Sequence, residues 1–440
     1  MRIAVVGGGP AGMMAAIAAG EQGAEVTLFD GNEKLGKKLY ITGKGRCNVT
    51  NDADSDAFFK NIPRNPRFLY SCYAAFDNRA LMKCIEDAGV PLKVERGGRV
   101  FPQSDKASDI TKALERMMSK SGVRVCLRSK VKEILPSDGG FDLCLPGQTR
   151  HFDRVILACG GASYPSTGSD GSGYALAKGL GHTVTEILPS LIPIVTKEDW
   201  CRSLQGLSLK NVKLSAKAGK KLLFDELGEM LFTHFGISGP LVLSLSSVIA
   251  GKDLDGIDIR IDLKPGLTRE QLERRLLRDF EARARGQIST VLDGLLPRSL
   301  TPVIAETAGV AAETAVSQVS RAQREKLMDA LKGLPVHAAG FRPIAEAIVT
   351  RGGVSVKEVD PKTMESKIVP GVYLCGEMLD VDGFTGGFNI QIAASTGCAA
   401  GRAASRCWKA PAARRAGAFP GGNFFGAQVR PAPRKKIERE

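Results

Sequence analysis

The chain has 440 residues, 43% hydrophobic and 25% charged, the composition of an ordinary globular protein long enough for two or three domains. Its ten cysteines form no C-x-x-C pair, and His151, His182, His234 and His337 stand outside metal-ligand spacing, which excludes a disulfide framework and a zinc site and leads us to expect reduced thiols in a cytoplasmic protein. The net charge is +14, but residues 409–440 hold eight basic and two acidic side chains in a Pro-, Gly- and Ala-rich stretch, so an expected disordered tail carries nearly half the excess and argues against a nucleic-acid partner.

The first twenty residues, MRIAVVGGGPAGMMAAIAAG, have the outline of a secretory signal, yet the glycine triplet and Pro10 would interrupt its apolar helix. They read better as a strand, a turn and a helix. Residues 3–6 are a short β-branched run suited to a buried parallel strand. Gly7-Gly8-Gly9-Pro10-Ala11-Gly12 follows, then a small-residue helix to about Gln22. A second strand over 26–29 ends in Asp30, 18 positions after Gly12. G-x-G-x-x-G between strand and helix, with an acid closing the next strand, predicts a dinucleotide site. Gly7 permits the tight turn, Gly9 lets backbone approach a pyrophosphate, and Gly12 lets helix and strand pack closely. The first helical turn, from Pro10 and Ala11, offers free N–H groups and a positive dipole end to the phosphates. Asp30 is placed to accept from ribose hydroxyls. The motif alone does not separate FAD from NAD(P).

Further along, residues 123–127, 129–134 and 141–145 alternate like strands of a small meander, and 154–159 is an apolar strand ending in Gly160-Gly161. Residues 191–265 hold strand-like runs such as 204–216. Over 269–284, Leu272, Leu276, Leu277 and Phe280 share one helical face. Residues 371–375 read as a short strand, followed by Gly376-Glu377, a glycine-rich turn and a helix from near Asn389. The predicted fold is α/β: a discontinuous Rossmann-like nucleotide-binding domain over 1–190 and 336–408, with a parallel sheet and β-meander. It is interrupted by a β-rich insert at 191–265 on the substrate side and a helical subdomain at 266–335. The active site is expected where insert and nucleotide meet. No run reaches about 18 apolar residues, so no membrane span is predicted.

Four stretches carry a family likeness: KLGKKLYITGKGRCNVTN (34–51), RVILACGGASYPSTGSDGSGYALAKGLGH (154–182), LFTHFGISGPLVLSLS (231–246) and GGVSVKEVDPKTMESKIVPGVYLCGEMLDVDGFTGGFNIQIAASTG (352–397). In this order the chain resembles the bacterial BaiN-like FAD-dependent oxidoreductases, a family with a glutathione-reductase-type flavin fold, from Met1 to about Arg406. The resemblance implies FAD, with Val131 lending backbone to the adenine. It places Glu377 by the ribityl–phosphate region, and Phe388, Asn389 and Ile390 backbone at the isoalloxazine; from the residues alone, Gly160-Gly161 after the 154–159 strand is suited to bring backbone close to the cofactor. Where the family often has Glu, Asp30 is shorter. The residues support a flavin independently. A strand, a Gly-acid pair and a helix N-terminus make a second polar cluster, able to hold ribityl hydroxyls and negative charge at the flavin N1/O2 edge.

In the loop after Asp30, Gly43 and Gly45 allow close backbone approach. Lys37, Lys38 and Arg46 can neutralise phosphate or reduced-flavin charge, and Asn48 can donate a hydrogen bond. The activity the resemblance implies is NAD(P)H-dependent reduction of an activated C=C bond in a hydrophobic, steroid-like molecule through flavin N5. Oxidation of a small amine such as aminoacetone is the alternative, and flavin-dependent RNA modification a third. No second G-x-G-x-x-G follows a strand, so NAD(P)H would visit the flavin face transiently. No catalytic proton donor can be read. Tyr164 and Tyr40 are candidates from flavin-proximal motifs. Cys47 is another, though without a C-x-x-C partner it reads better as a small buried side chain, and His234 reads as structural.

Overall fold

The computed structural model describes residues 1–406; the predicted basic tail from residue 409 lies outside them. Five parallel strands form the central sheet: β1 (Arg2–Val6), β2 (Glu25–Phe29), β3 (Arg124–Cys126), β4 (Arg154–Leu157) and β5 (Val372–Leu374), in the order β5-β4-β1-β2-β3. β4 is buried along its whole length and β1 at all but its first residue, as parallel strands covered on both faces must be. The order reverses beside β1, where open α/β sheets leave a ligand crevice at the carboxyl ends of their strands.

Helix α1 (Pro10–Gly20) leaves the glycine turn and is buried at nine positions. Helix α2 (Phe388–Ala404) packs against it through Gly397 and Gly401. A Cβ at either glycine would collide with the Ala11 or Ala15 carbonyl of α1. The two helices can touch this closely only through bare backbone.

The meander differs from expectation. Residues 124–126 join the parallel sheet as β3, and the three antiparallel strands are Glu133–Ser137, Gly140–Leu145 and Gln148–Phe152. Residues 128–129 are held instead by the loop after β2: Arg128 N–H donates to Asn32 O and Ser129 N–H to Asp30 O, both at 2.8 Å. Those bonds take the backbone that a longer strand would need.

Two hydrophobic cores are present, one drawn from residues 3–180 and 354–404, the other from 194–338. The second holds a seven-stranded sheet and the helices Arg269–Ala282 and Arg321–Gly333 together: Leu272, Leu276, Leu327 and Leu331 belong to the same core as Ile257, Ile259 and Ile261. The expected division between a β-rich insert and a separate helical subdomain is therefore not how the cores divide. The strands Leu334–Val336 and Ala338–Phe341, which follow the helices, return to the sheet's two edges and close it over them. The chain leaves and re-enters the nucleotide-binding core through an antiparallel ribbon, Leu188–Ser190 against Val349–Arg351. Among the described residues, no helix is long and apolar enough to cross a membrane.

Candidate active site

A cavity of about 1310 Å³ opens at the carboxyl end of the parallel sheet. It exceeds the roughly 300–1,000 Å³ of pockets that hold one small ligand. Its floor is the glycine turn. Gly7 has φ +108°, and a Cβ there would collide with the Ala158 carbonyl at the end of β4. At Gly12 a Cβ would collide with the Gly7 carbonyl. At Gly9 it would meet no atom within 4 Å, because Gly9 borders the cavity. Asp30 braces the turn: one carboxylate oxygen accepts from Gly8 N–H at 2.6 Å, the other from Asn32 N–H at 2.7 Å and Asn32 Nδ2 at 2.9 Å. A carboxylate has about four acceptor positions, so ribose hydroxyls still find room.

Across the turn, the Glu377 carboxylate accepts from Lys38 Nζ at 2.8 Å, Thr350 N–H at 2.8 Å and Ser163 Oγ at 3.1 Å. Lys38 also donates to Ser163 Oγ at 2.6 Å. The other basic residues expected to face phosphate or flavin are likewise partnered. Lys37 pairs with Glu33 at 3.4 Å. Arg46 donates to Glu95 at 2.8 Å and lies 4.0 Å over the Phe101 ring. All three line the cavity, but their charges are largely balanced by carboxylates of the protein.

The turn before α2 passes through Gly386 (φ +120°) and Gly387 (φ +101°), which aim the helix N-terminus at the cavity. Asn389 spends both ends of its amide on Gly383, at 2.8 Å each, and so braces this turn. Asn48 and Ser169, two residues of the lining, each hold a buried polar atom, Asn48 Oδ1 and Ser169 Oγ, that has no partner among the described residues.

The chain matches the family described as HI0933-like protein Rossmann domain over residues 1–403. It belongs to that family. It is therefore an FAD-dependent oxidoreductase of the HI0933-like type. Over 408 residues it is 34% identical to the 3-dehydro-bile acid delta(4,6)-reductase of Clostridium scindens, covering 92% of this chain and 99% of that protein. It is 30% identical to the ribosomal RNA dihydrouridine synthase of Haemophilus influenzae, over 91% of this chain and 98% of that one. It is 31% identical to its namesake of Escherichia coli, over 89% and 95%.

The HI0933-like cavity fits FAD on its own terms. The open face of Gly9 and two helix N-termini on one cavity are what a dinucleotide would fill. Of the predicted cofactor residues, Gly7, Gly9, Pro10, Ala11, Asp30, Lys37, Lys38, Gly43, Arg46, Asn48, Val131, Gly160, Glu377, Phe388, Asn389 and Ile390 line it. Gly12, Gly45 and Gly376 do not. Gly12 and Gly376 are packing positions: a Cβ at Gly376 would stand 2.7 Å from the Ala11 Cβ, and its N–H donates to Thr396 Oγ1 at 2.9 Å.

Among the catalytic candidates, Tyr164 lines the cavity and holds a left-handed φ of +53°. Tyr40 stands outside the cavity lining, its ring capped by the Lys34 ammonium at 4.3 Å. Cys47 is fully buried away from the cavity, and burial pushes its thiol up to about 12. His234 is exposed, against Phe235. Sequence reasoning missed two sets of cavity residues. Arg96, Arg99 and Phe101 come from the hairpin of strands Leu92–Glu95 and Arg99–Pro102. Lys210, Asn211, Leu227, Glu229, Pro240 and Leu243 come from the insert. The available signal was weak: a strand-like pattern on the substrate side, with no residue type that demands a cofactor.

Proposed function

We propose that the protein reduces a C=C bond conjugated to a carbonyl, using FAD with NAD(P)H as a transient donor. One observation carries this reading: a single cavity holds the dinucleotide cradle and, opposite it, a wall supplied by the second core, leaving a place for a second molecule beside the cofactor. The names of the three relatives share this chemistry, since both a delta(4,6)-reductase and a dihydrouridine synthase saturate a C=C bond near a carbonyl.

Bound FAD supplies two-electron hydride chemistry. The protein supplies the rest. Gly9 and the α1 N-terminus receive the pyrophosphate, Asp30 the ribose, and the α2 N-terminus favours negative charge next to Phe388 and Asn389. The Lys38–Glu377–Ser163 cluster fixes the middle of the cradle and enters without a free charge.

For the substrate, Leu227, Pro240 and Leu243 give the insert's wall an apolar surface suited to a fused-ring enone of the bile-acid type. A second reading is favoured by the cavity rim. Lys44 and Arg96 come from two separate elements, and neither has an ion-pair partner among the described residues. Free cations in that position suit the phosphates of RNA, with a uracil ring as the reducible group.

Anaerobic titration of the yellow protein tests the proposal. NADH or NADPH is expected to bleach the flavin, and a 4-en-3-one steroid or a uridine-containing RNA to restore the colour. Bleaching by a small amine alone, with peroxide formed in air, would overturn it. RNA retention by a chain truncated after residue 408 distinguishes the rim from the tail as the source of any RNA binding.

A further inference from the structure

The insert's strand Ser208–Ala218 is irregular where it borders the cavity. Leu209 pairs with Met230 and Val212 with Gly228, so Lys210 and Asn211 together oppose the single residue Glu229. In an unbroken strand, side chains alternate, and residues 209 and 212 would face opposite ways. Here Leu209 and Val212 are both buried in the second core, while Lys210 and Asn211 are both exposed. The extra residue therefore turns two consecutive polar side chains to one side, and that side is the cavity. Neither side chain has a hydrogen-bond or ion-pair partner among the described residues. Around them the insert presents Leu227, Pro240 and Leu243.

We propose that Lys210 and Asn211 are the insert's anchor for the substrate carbonyl, a role that rests on the C=C reduction proposed above. Delivery of a hydride to the β-carbon forms a C–H bond and breaks the C=C π bond. Its electron pair moves onto the conjugated carbonyl oxygen, and a solvent proton then completes the α-carbon. The reductant is NAD(P)H, acting by way of the cofactor. Negative charge thus develops on one oxygen, where preorganised donors lower the barrier most. The two donors share the insert's wall with Leu227, Pro240, Leu243 and the Glu229 carboxylate, so they fix the oxygen's position while the apolar part of the wall accepts the rest of the ring. Lys210 and Asn211 touch the substrate and carry both orientation and charge stabilisation.

The test uses the FAD-loaded enzyme and the variants Lys210→Met, Asn211→Leu and their combination, with a 4-en-3-one steroid and a uridine-containing RNA as acceptors. The flavin is reduced with dithionite beforehand, so that any effect on NAD(P)H binding in the shared cavity does not enter. Re-oxidation by the accepted substrate should fall by about 100-fold in the double variant. By calorimetry, the saturated steroid ketone or the dihydrouridine-containing RNA, whichever product matches, should bind about tenfold more weakly. Lys210→Arg and Asn211→Gln keep a donor and should recover most of both losses, which separates a direct role from misfolding. Re-oxidation and product binding within twofold of the parent in the double variant would overturn the anchor and leave C=C reduction standing. Losses that the donor-retaining variants do not recover would also overturn it. If the parent reduces neither acceptor, both proposals fall.

Discussion

On the nucleotide side of the cavity, Lys37, Lys38 and Arg46 are paired with Glu33, Glu377 and Glu95, and Asp30 is bonded to Gly8 and Asn32. On the insert side, Lys210, Asn211 and Glu229 hold no such bond among the described residues. The first wall is preorganised: its shape comes from glycine backbone, and its charges are set before any ligand arrives. The second leaves donors and acceptors for a molecule that comes and goes. Fixed geometry suits a resident cofactor, whereas unpaired polar groups cost least at an exposed surface, where water satisfies them between turnovers.

The largest effects should come from breaking the preorganised wall. Gly12→Val places a side chain in the Gly7 carbonyl and should destabilise the protein by about 3 kcal/mol or more, with loss of bound FAD. Gly9→Val, whose Cβ meets no atom within 4 Å, should lower the apo-protein's thermal midpoint far less than Gly12→Val, by no more than the loss of a favourable N-cap, yet abolish flavin retention. The flavin-to-protein absorbance ratio and calorimetry read both. Equal loss of stability in the two variants would remove the distinction between a packing glycine and a cofactor-facing one.

Next is the seam between the walls. Asp382 is 2% exposed. One oxygen accepts from Ser190 Oγ at 2.7 Å, and the other has no partner. Its nearby guanidiniums are engaged elsewhere, Arg64 on Asp380 and Arg351 on the Ser247 and Ala250 carbonyls. Burial pushes its carboxyl up to about 6. The folded state then holds more protons than the unfolded state between about pH 4 and pH 6. This group's contribution to stability is accordingly lost as pH rises through that window. Asp382→Asn removes the titration. The variant's stability relative to the parent should rise by about 2 to 3 kcal/mol between pH 4 and pH 7, measured by denaturant unfolding. A pH-independent difference would contradict the assignment.

A smaller effect separates paired from unpaired lysines. Lys38→Met leaves Glu377 without its cation and should cost about 1 to 3 kcal/mol, whereas Lys210→Met should stay within about 0.5 kcal/mol. Pairing Lys38→Met with Glu377→Gln should recover part of the loss in a double-mutant cycle. Smallest is Cys47: with its thiol pushed up to about 12, it should resist a thiol reagent at pH 8 in the native protein, and Cys47→Ser should keep turnover.

The same contrast explains what could be read from the sequence. A pyrophosphate turn needs glycine at set spacings, so the cradle at 7–12 and the turn before α2 announced themselves. The Lys38–Glu377 pair did not, because its members lie 339 residues apart and only the fold joins them. The meander was read one strand too early, since 123–127 has a strand's composition but takes its partner from β2. The insert's helices and strands looked separable because each has its own apolar face. That the faces meet in one core is a tertiary fact. The irregularity at Lys210 did leave a trace: the apolar alternation of Val212, Leu214 and Ala216 slips by one place at Leu209. Such a slip marks a bulge only once the opposing strand is known.

C=C reduction is tested most directly by a single turnover without oxygen: enzyme whose FAD has been reduced, mixed with a 4-en-3-one steroid or a uridine-containing RNA, followed by flavin absorbance and product mass. We predict that the flavin is re-oxidised as one of the two acceptors gains two hydrogens. A flavin that stays reduced with both acceptors, and is re-oxidised only by oxygen with formation of peroxide, would contradict it.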